Sequence, residues 1–181
     1  MSIPNIITLG RLILVPVIVW LMLAGYKQAA FLAFLIAGIS DAADGYLAKR
    51  YNMETELGAY LDPLADKMLI VCIFVTLGLG GQLPTWLVIA VVSRDFLIVT
   101  AVLLSWVMGH PVTIKPHIIS KANTAAQIVL AATVLADDGF ILGLEAVRAV
   151  MIWVTAVLTF GSLASYLSAW LRHMSEPITP V

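Results

Sequence analysis

Charge is scarce in this chain. Only 12% of its 181 residues are Asp, Glu, Lys or Arg, about half the share of a soluble domain. A surface wetted on every side could hardly be built from so few. Neither sign dominates, with 10 Lys and Arg against 11 Asp and Glu, so there is no basic field suited to nucleic acid. One cysteine, Cys72, excludes an internal disulfide and reads as apolar packing. Three histidines, His110, His117 and His173, form no metal-spaced pair. No Lys or Arg precedes Arg11, so the first ten residues read neither as a secretory signal nor as an organelle presequence. The expectation is a bacterial inner membrane. Internal repeats and low-complexity tracts are also missing.

Apolar residues make up 61% of the chain, and the mean hydropathy is +1.01. A membrane span needs roughly 20 such residues. Six stretches qualify, at about 7–25, 29–50, 58–80, 84–108, 118–136 and 144–171. Gly25, Asn52, Gly80-Gly81, Gly109 with Pro111, and Asp137-Asp138-Gly139 punctuate them. Pro84 suits the first position of the fourth helix. The predicted fold is an all-α integral membrane protein with six transmembrane helices, forming one domain over 1–181. Residues 1–11 are expected as an interfacial helix, with Thr8 and Arg11 three apart on one side. Residues 173–181, with two prolines, are expected as a flexible tail.

Orientation follows the basic residues near segment ends. Arg11, Lys49, Arg50, Lys115, Lys121 and Arg172 gather on one side, and Lys27 and Arg148 on the other. The first side is then cytoplasmic. Lys67 and Arg94 fall inside spans and must face a cavity.

Against this background stand Asp41, Asp44, Asp62 and Asp66. An Asp at the centre of a bilayer costs roughly 2.5–3.5 kcal/mol on insertion scales. At 100° per residue Gly38, Asp41, Gly45 and Ala48 share a stripe flanked by Asp44, while Gly58, Asp62 and Asp66 follow at steps of four. Small residues let two such helices approach closely. Opposed, these stripes would bring four carboxylates into one pocket. Like charges so close raise one another's pKa, and hard divalent ions relieve that while also gripping phosphates. A single Asp could instead be paired with a nearby cation, Lys67 beside Asp66 or Lys49 and Arg50 near Asp44.

The run Asp41-Ala42-Ala43-Asp44-Gly45-Tyr46-Leu47-Ala48-Lys49, followed by Gly58, Asp62 and Asp66, resembles the signature D-x-x-D-G-x-x-A-R-x8-G-x3-D-x3-D of the CDP-alcohol phosphatidyltransferases. One position departs: Lys49 stands where the family has Arg, keeping the charge without the bidentate fork. The resemblance implies that family's fold, a homodimer, and a cytoplasm-facing cavity holding two divalent ions, Mg²⁺ or Mn²⁺. It implies Asp41 and Asp62 bridging both ions, Asp44 and Asp66 completing one site each, and Asp66 as the base toward the acceptor alcohol. It implies contacts to the CDP part of CDP-diacylglycerol from Gly45, Lys49 and Thr55, and from Pro4, Asn5 and Thr8.

The acceptor is read from the second half. Ser93-Arg94-Asp95 puts an ion pair in span 4, and Lys115-Pro116-His117-Ile118-Ile119-Ser120-Lys121-Ala122-Asn123-Thr124 opens span 5. Arg94, Lys115 and Lys121 could form a basic pocket for an acceptor phosphate. Alternatively Arg94 neutralises Asp95 and the lysines mark topology. These segments resemble the CMP-forming cardiolipin synthases within the family, which implies phosphatidylglycerol as acceptor. Phosphatidylglycerophosphate synthases, using glycerol 3-phosphate, are similar too. A different class, a small cation transporter using the aspartates as its ion site, stays open on the residues alone.

Overall fold

The structure, a computed structural model, describes the backbone of residues 3–51, 56–107 and 118–175 and the side chains of 9–40, 65–100 and 118–168. These form six helices: α1 (Ile3–Leu23), α2 (Lys27–Tyr51), α3 (Glu56–Leu79), α4 (Thr85–Val107), α5 (Ile118–Phe140) and α6 (Glu145–Ser175). Each of the six expected stretches is a helix. α1 continues unbroken through residue 11, so the segment expected at the interface is its first turns.

Glycine sets two of the turns. After α1, Gly25 takes φ +84°, which lets Tyr26 N–H reach the Leu21 carbonyl at 2.9 Å and Gly25 N–H reach Met22 at 3.2 Å. This is a Schellman cap, and it satisfies carbonyls that the helix end leaves bare. Gly81 at φ +74° repeats it after α3, with Gln82 N–H on Leu77 at 2.9 Å. Pro84 then accepts the Leu87 and Val88 N–H groups on its carbonyl, at 3.0 and 3.3 Å. It therefore caps α4 from one residue before the first helical position.

Asp137-Asp138-Gly139 does not break α5, contrary to the sequence reading. Tertiary partners hold the last turn. The Asp137 carbonyl accepts from Ile141 N–H (2.8 Å) and its carboxylate accepts from Leu144 N–H (3.0 Å). Asp138 pairs with Lys27 at 3.2 Å and accepts from Gln82 Nε2. A Cβ on Gly139 would sit 3.3 Å from Gln28 Cα and 3.4 Å from the Lys27 carbonyl oxygen. Glycine is what lets the end of α5 press on the backbone of α2.

The hairpins α1–α2, α3–α4 and α5–α6 pack within themselves, and α1 also packs on α3, α2 on α5, α3 on α4 and α5, and α4 on α6. Each helix offers a core stripe at helical spacing. On α1 it is Val15 and Ile18; on α2 Ala30, Phe34 and Ala37; on α3 Ile70, Ile73 and Leu77; on α4 Leu87, Val88 and Val91; on α5 Leu130, Val134 and Leu135. Followed toward one end of the bundle, the stripes of α1, α3, α4 and α5 change from apolar to polar. They arrive at Arg11, Arg94 with Asp95, and Asn123 with Gln127, all buried, and at the half-exposed Asp66. α6 reaches Thr159 and Ser162 at the same end.

The outer surface is apolar. Ile13, Leu32, Ile36, Ile89, Phe96, Val129, Val150, Val157 and Leu167 are among many large side chains left exposed. Among the described residues α5 and Glu145–Ser168 of α6 are long and apolar enough to cross a membrane, and Leu9–Leu23 and Lys27–Ser40 are shorter apolar stretches. Trp20 packs on Tyr26 and Trp86 on Trp153, with ring centroids 6.0 and 5.7 Å apart. Both pairs lie at the end of the bundle opposite the buried charges.

Candidate active site

Asp66 occupies the α3 stripe one turn before Ile70. Ile70, Ile73 and Leu77 on that stripe are buried, yet the Asp66 side chain is 42% exposed. The buried run of that stripe therefore ends at Asp66, while the exposed apolar side of α3 runs through Met68 and Val75. Arg11 reaches across from α1 and places Nη1 2.5 Å from Asp66 Oδ1, with its own side chain only 1% exposed. An arginine buried this deeply requires a carboxylate partner.

The alternative pairing of Asp66 with Lys67 is not the one made. Neighbours on a helix point about 100° apart. Lys67 turns instead toward α4, where Nζ donates to Asp95 Oδ1 at 2.7 Å. Arg94 Nη1 donates to the same oxygen at 2.5 Å, which realises the ion pair read from Ser93-Arg94-Asp95. Arg94 Nη2 donates to Ser120 Oγ at 2.7 Å on α5 and to Ser162 Oγ at 2.6 Å on α6. Its guanidinium also lies 5.8 Å from the Tyr166 ring centroid, within cation–π range. Arg94 is thus an internal tie among α4, α5 and α6, with 1% of its side chain exposed. Below it Thr159 donates to Asn123 at 2.9 Å, and Gln127 and Thr155 are buried one turn further along the same two helices. Serines, then Asn and Thr, then Gln and Thr line this seam as α5 and α6 run in opposite directions.

Lys121 is exposed. With Ser120, Thr124, Ala125 and Ile128 it lines a shallow pocket of about 420 Å³. Ser120 thereby stands between Arg94 on its inner side and this pocket. Lys115 and Thr55 lie outside the described residues. Asp41, Asp44, Gly45 and Lys49 fall in the C-terminal half of α2, Asp62 in the first turns of α3, and Pro4, Asn5 and Thr8 in the first turns of α1. Their side chains lie outside those described. Among the described side chains no three of His, Cys, Asp or Glu gather.

Arg11 is the site residue that sequence reasoning missed, since it read there as a topology marker and as part of an interfacial helix. Its partner lies 55 residues away. The available signal was its place one turn before Val15 and Ile18, on the core side of an otherwise apolar helix.

Comparison with known proteins bears on this arrangement. The family model for CDP-alcohol phosphatidyltransferase matches residues 1–161. A CMP-forming cardiolipin synthase of Rattus norvegicus is 32% identical over 91% of this chain and 60% of its own length. The chloroplastic CDP-diacylglycerol–glycerol-3-phosphate 3-phosphatidyltransferase 1 of Oryza sativa subsp. japonica is 33% identical over 92% of this chain and 56% of its own. A CDP-diacylglycerol–glycerol-3-phosphate 3-phosphatidyltransferase of Shigella flexneri is 35% identical over 93% and 94%. The chain thus spans little more than half of the first two relatives and nearly all of the third. The match takes in α1 through most of α6, including the four aspartates and Arg11, and the chain belongs to the CDP-alcohol phosphatidyltransferase family.

Proposed function

We propose that this protein transfers a phosphatidyl group from CDP-diacylglycerol to a hydroxyl of phosphatidylglycerol, giving cardiolipin and CMP. The observation that carries the reading is Asp66. It is a half-exposed carboxylate at the end of a buried stripe, held by a buried arginine, inside a sequence pattern shared with this family. The acceptor oxygen forms a bond to the phosphorus nearer the diacylglycerol, the bond from that phosphorus to the bridging oxygen breaks, and CMP leaves. Asp66 takes the hydroxyl proton. Arg11 holds the Asp66 carboxylate in place by its grip on Oδ1. Gly45, Lys49, Thr55, Asn5 and Thr8 bind the CDP part. Lys121 and Lys115 attract the acceptor, and Arg94 ties the start of α5, where Lys121 stands, to α4 and α6.

Asp41, Asp44, Asp62 and Asp66 offer only carboxylate oxygens, a donor set that fits Mg²⁺ or Mn²⁺, and the exposure of Asp66 leaves it open to a ligand. Those four carboxylates would hold two such ions, which when bound would supply charge neutralisation at the diphosphate. We further propose that the bundle lies in a bacterial inner membrane as a homodimer, with Asp66 facing the cytoplasm. The apolar outer surface and the tryptophan pairs at the far end support the membrane placement.

A second reading has glycerol 3-phosphate as acceptor, favoured by the Shigella flexneri relative that this chain spans almost end to end. An acceptor panel decides. Purified protein with CDP-diacylglycerol is offered phosphatidylglycerol, glycerol 3-phosphate or serine, and the lipid product is identified by mass. Cardiolipin supports the first reading; phosphatidylglycerophosphate replaces it with the second.

A further inference from the structure

The polar residues of α5 and α6 face each other in a constant register. Ser120 and Ser162 meet through Arg94 Nη2, which donates to both hydroxyls at 2.7 and 2.6 Å. Three residues on along α5 and three back along α6, Thr159 donates directly to Asn123 Oδ1 at 2.9 Å. One further turn on each helix sets Gln127 opposite Thr155. Both are 0% exposed, as is Asn123, so this third rung lies wholly inside the protein. No direct contact closes it. Among the described residues, Gln127 Nε2 and Oε1, Thr155 Oγ1 and Asn123 Nδ2 are buried without a hydrogen-bond partner. Thr155 also forgoes the usual local outlet for a helical hydroxyl. Thr76, Thr124, Thr133 and Ser165 each donate to the carbonyl four residues back on their own helices, and Thr155 does not.

We propose that the Gln127–Thr155 rung is a hydration site, closed by at least one ordered water held among Asn123, Gln127 and Thr155. Asn123 and Gln127 stand four apart on one helix and so share a face, and Thr155 meets that face from α6. Leaving these groups unpaired in a dry interior is costly. The three side chains offer amide N–H donors beside an amide oxygen and a hydroxyl oxygen. Water suits both kinds at once. It accepts from Asn123 Nδ2 and donates to Gln127 Oε1 and Thr155 Oγ1, the usual three or so bonds of a buried water. An anion would leave the amide oxygen unmet, and a cation the amide N–H groups; none of the three residues is charged. The site is closed along the seam on both sides. Arg94 with Ser120 and Ser162 lies toward the charged end, and the buried Leu130, Ala131 and Val134 lie toward the other. The water is therefore internal, and it extends the hydrogen-bonded joint of α5 and α6 by one turn. The inference stands whichever acceptor the protein uses.

The test is a crystal structure of the full chain grown from a lipidic mesophase, at a resolution that shows ordered water, with a second crystal soaked in Rb⁺. We expect density for a water within hydrogen-bond distance of both Gln127 and Thr155, and no anomalous signal at that point. A Gln127 amide bonded straight to the Thr155 hydroxyl, with no water between, overturns the proposal. So does Rb⁺ at the site, which would make it a cation site. A double-mutant cycle in nanodiscs tests the shared site without crystals. Gln127→Leu and Thr155→Val each leave the remaining partner of the water under-bonded and lower the melting temperature. The double variant should fall by less than the sum of the two, because removing both partners removes the need for the water. Strictly additive falls show that the two residues share nothing and overturn the proposal. If Gln127→Leu does not fold, Gln127→Met, closer to the glutamine in length, takes its place in the same cycle.

Discussion

Asp66 and Arg11 carry opposite demands. The carboxylate must be open to substrate, and the guanidinium must be shut away to hold it. Their exposures, 42% and 1%, meet both. Asp66→Asn removes the base but leaves an oxygen for Arg11. We expect turnover to fall by about a hundred- to ten-thousandfold, the usual worth of a positioned base, and the melting temperature to fall as well, because the buried Arg11 loses its charged partner; product-release assays beside thermal unfolding check both. Arg11→Gln should cost both activity and stability. The lost hydrogen bond to a charged group is worth about 1.5–3 kcal/mol, nearer the lower figure because Asp66 is part-solvated. Denaturation in detergent measures it. Arg11 was hidden from sequence reading because a basic residue near a helix start looks the same whether it marks topology or fills a core position. The Lys67–Asp66 pairing that sequence left open is not made, since neighbours on a helix point about 100° apart.

Helix α5 shows how tertiary contacts override local chemistry. Asp137-Asp138-Gly139 has the composition of a turn, yet Lys27, Gln82 and the Leu144 N–H take up the carboxylates and the helix runs on to Phe140. The other five helices were legible because long, mostly apolar stretches separated by Gly, Asn or Pro leave few alternatives to helix. The polar seam between α5 and α6 was not legible. Asn123, Gln127, Thr155 and Thr159 gain meaning only when the two helices are set side by side. Thr159→Val takes away the donor to Asn123 and should lower stability by about 0.6–1.7 kcal/mol, the range for single interhelical hydrogen bonds in membranes. Chemical unfolding in mixed micelles tests this, and an unchanged midpoint would show the seam to be energetically idle.

Across the bundle, polarity is graded along the axis. One end holds tryptophan pairs, capped turns and the Lys27–Asp138 bridge; the other holds the buried charges. The alternating direction of six helices is what brings the N-terminal parts of α1, α3 and α5 to the same end as the C-terminal parts of α2, α4 and α6. The motif from Asp41 to Asp66 was legible at once, whereas its meeting with Arg11, and the tie of Arg94 to two further helices, depended on that packing. A chelator should therefore silence the protein without unfolding it, because the interhelical ties described here are made by protein groups alone. Circular dichroism before and after EDTA checks that the helices persist.

The most direct measurement is CMP release by the purified protein from CDP-diacylglycerol in nanodiscs containing phosphatidylglycerol, with Mg²⁺ or Mn²⁺ present and then chelated. The expected result is CMP and cardiolipin formed in equal amounts, lost with the metal and lost in Asp66→Asn. Cation flux through the protein in liposomes, with no CMP under any acceptor, would contradict it.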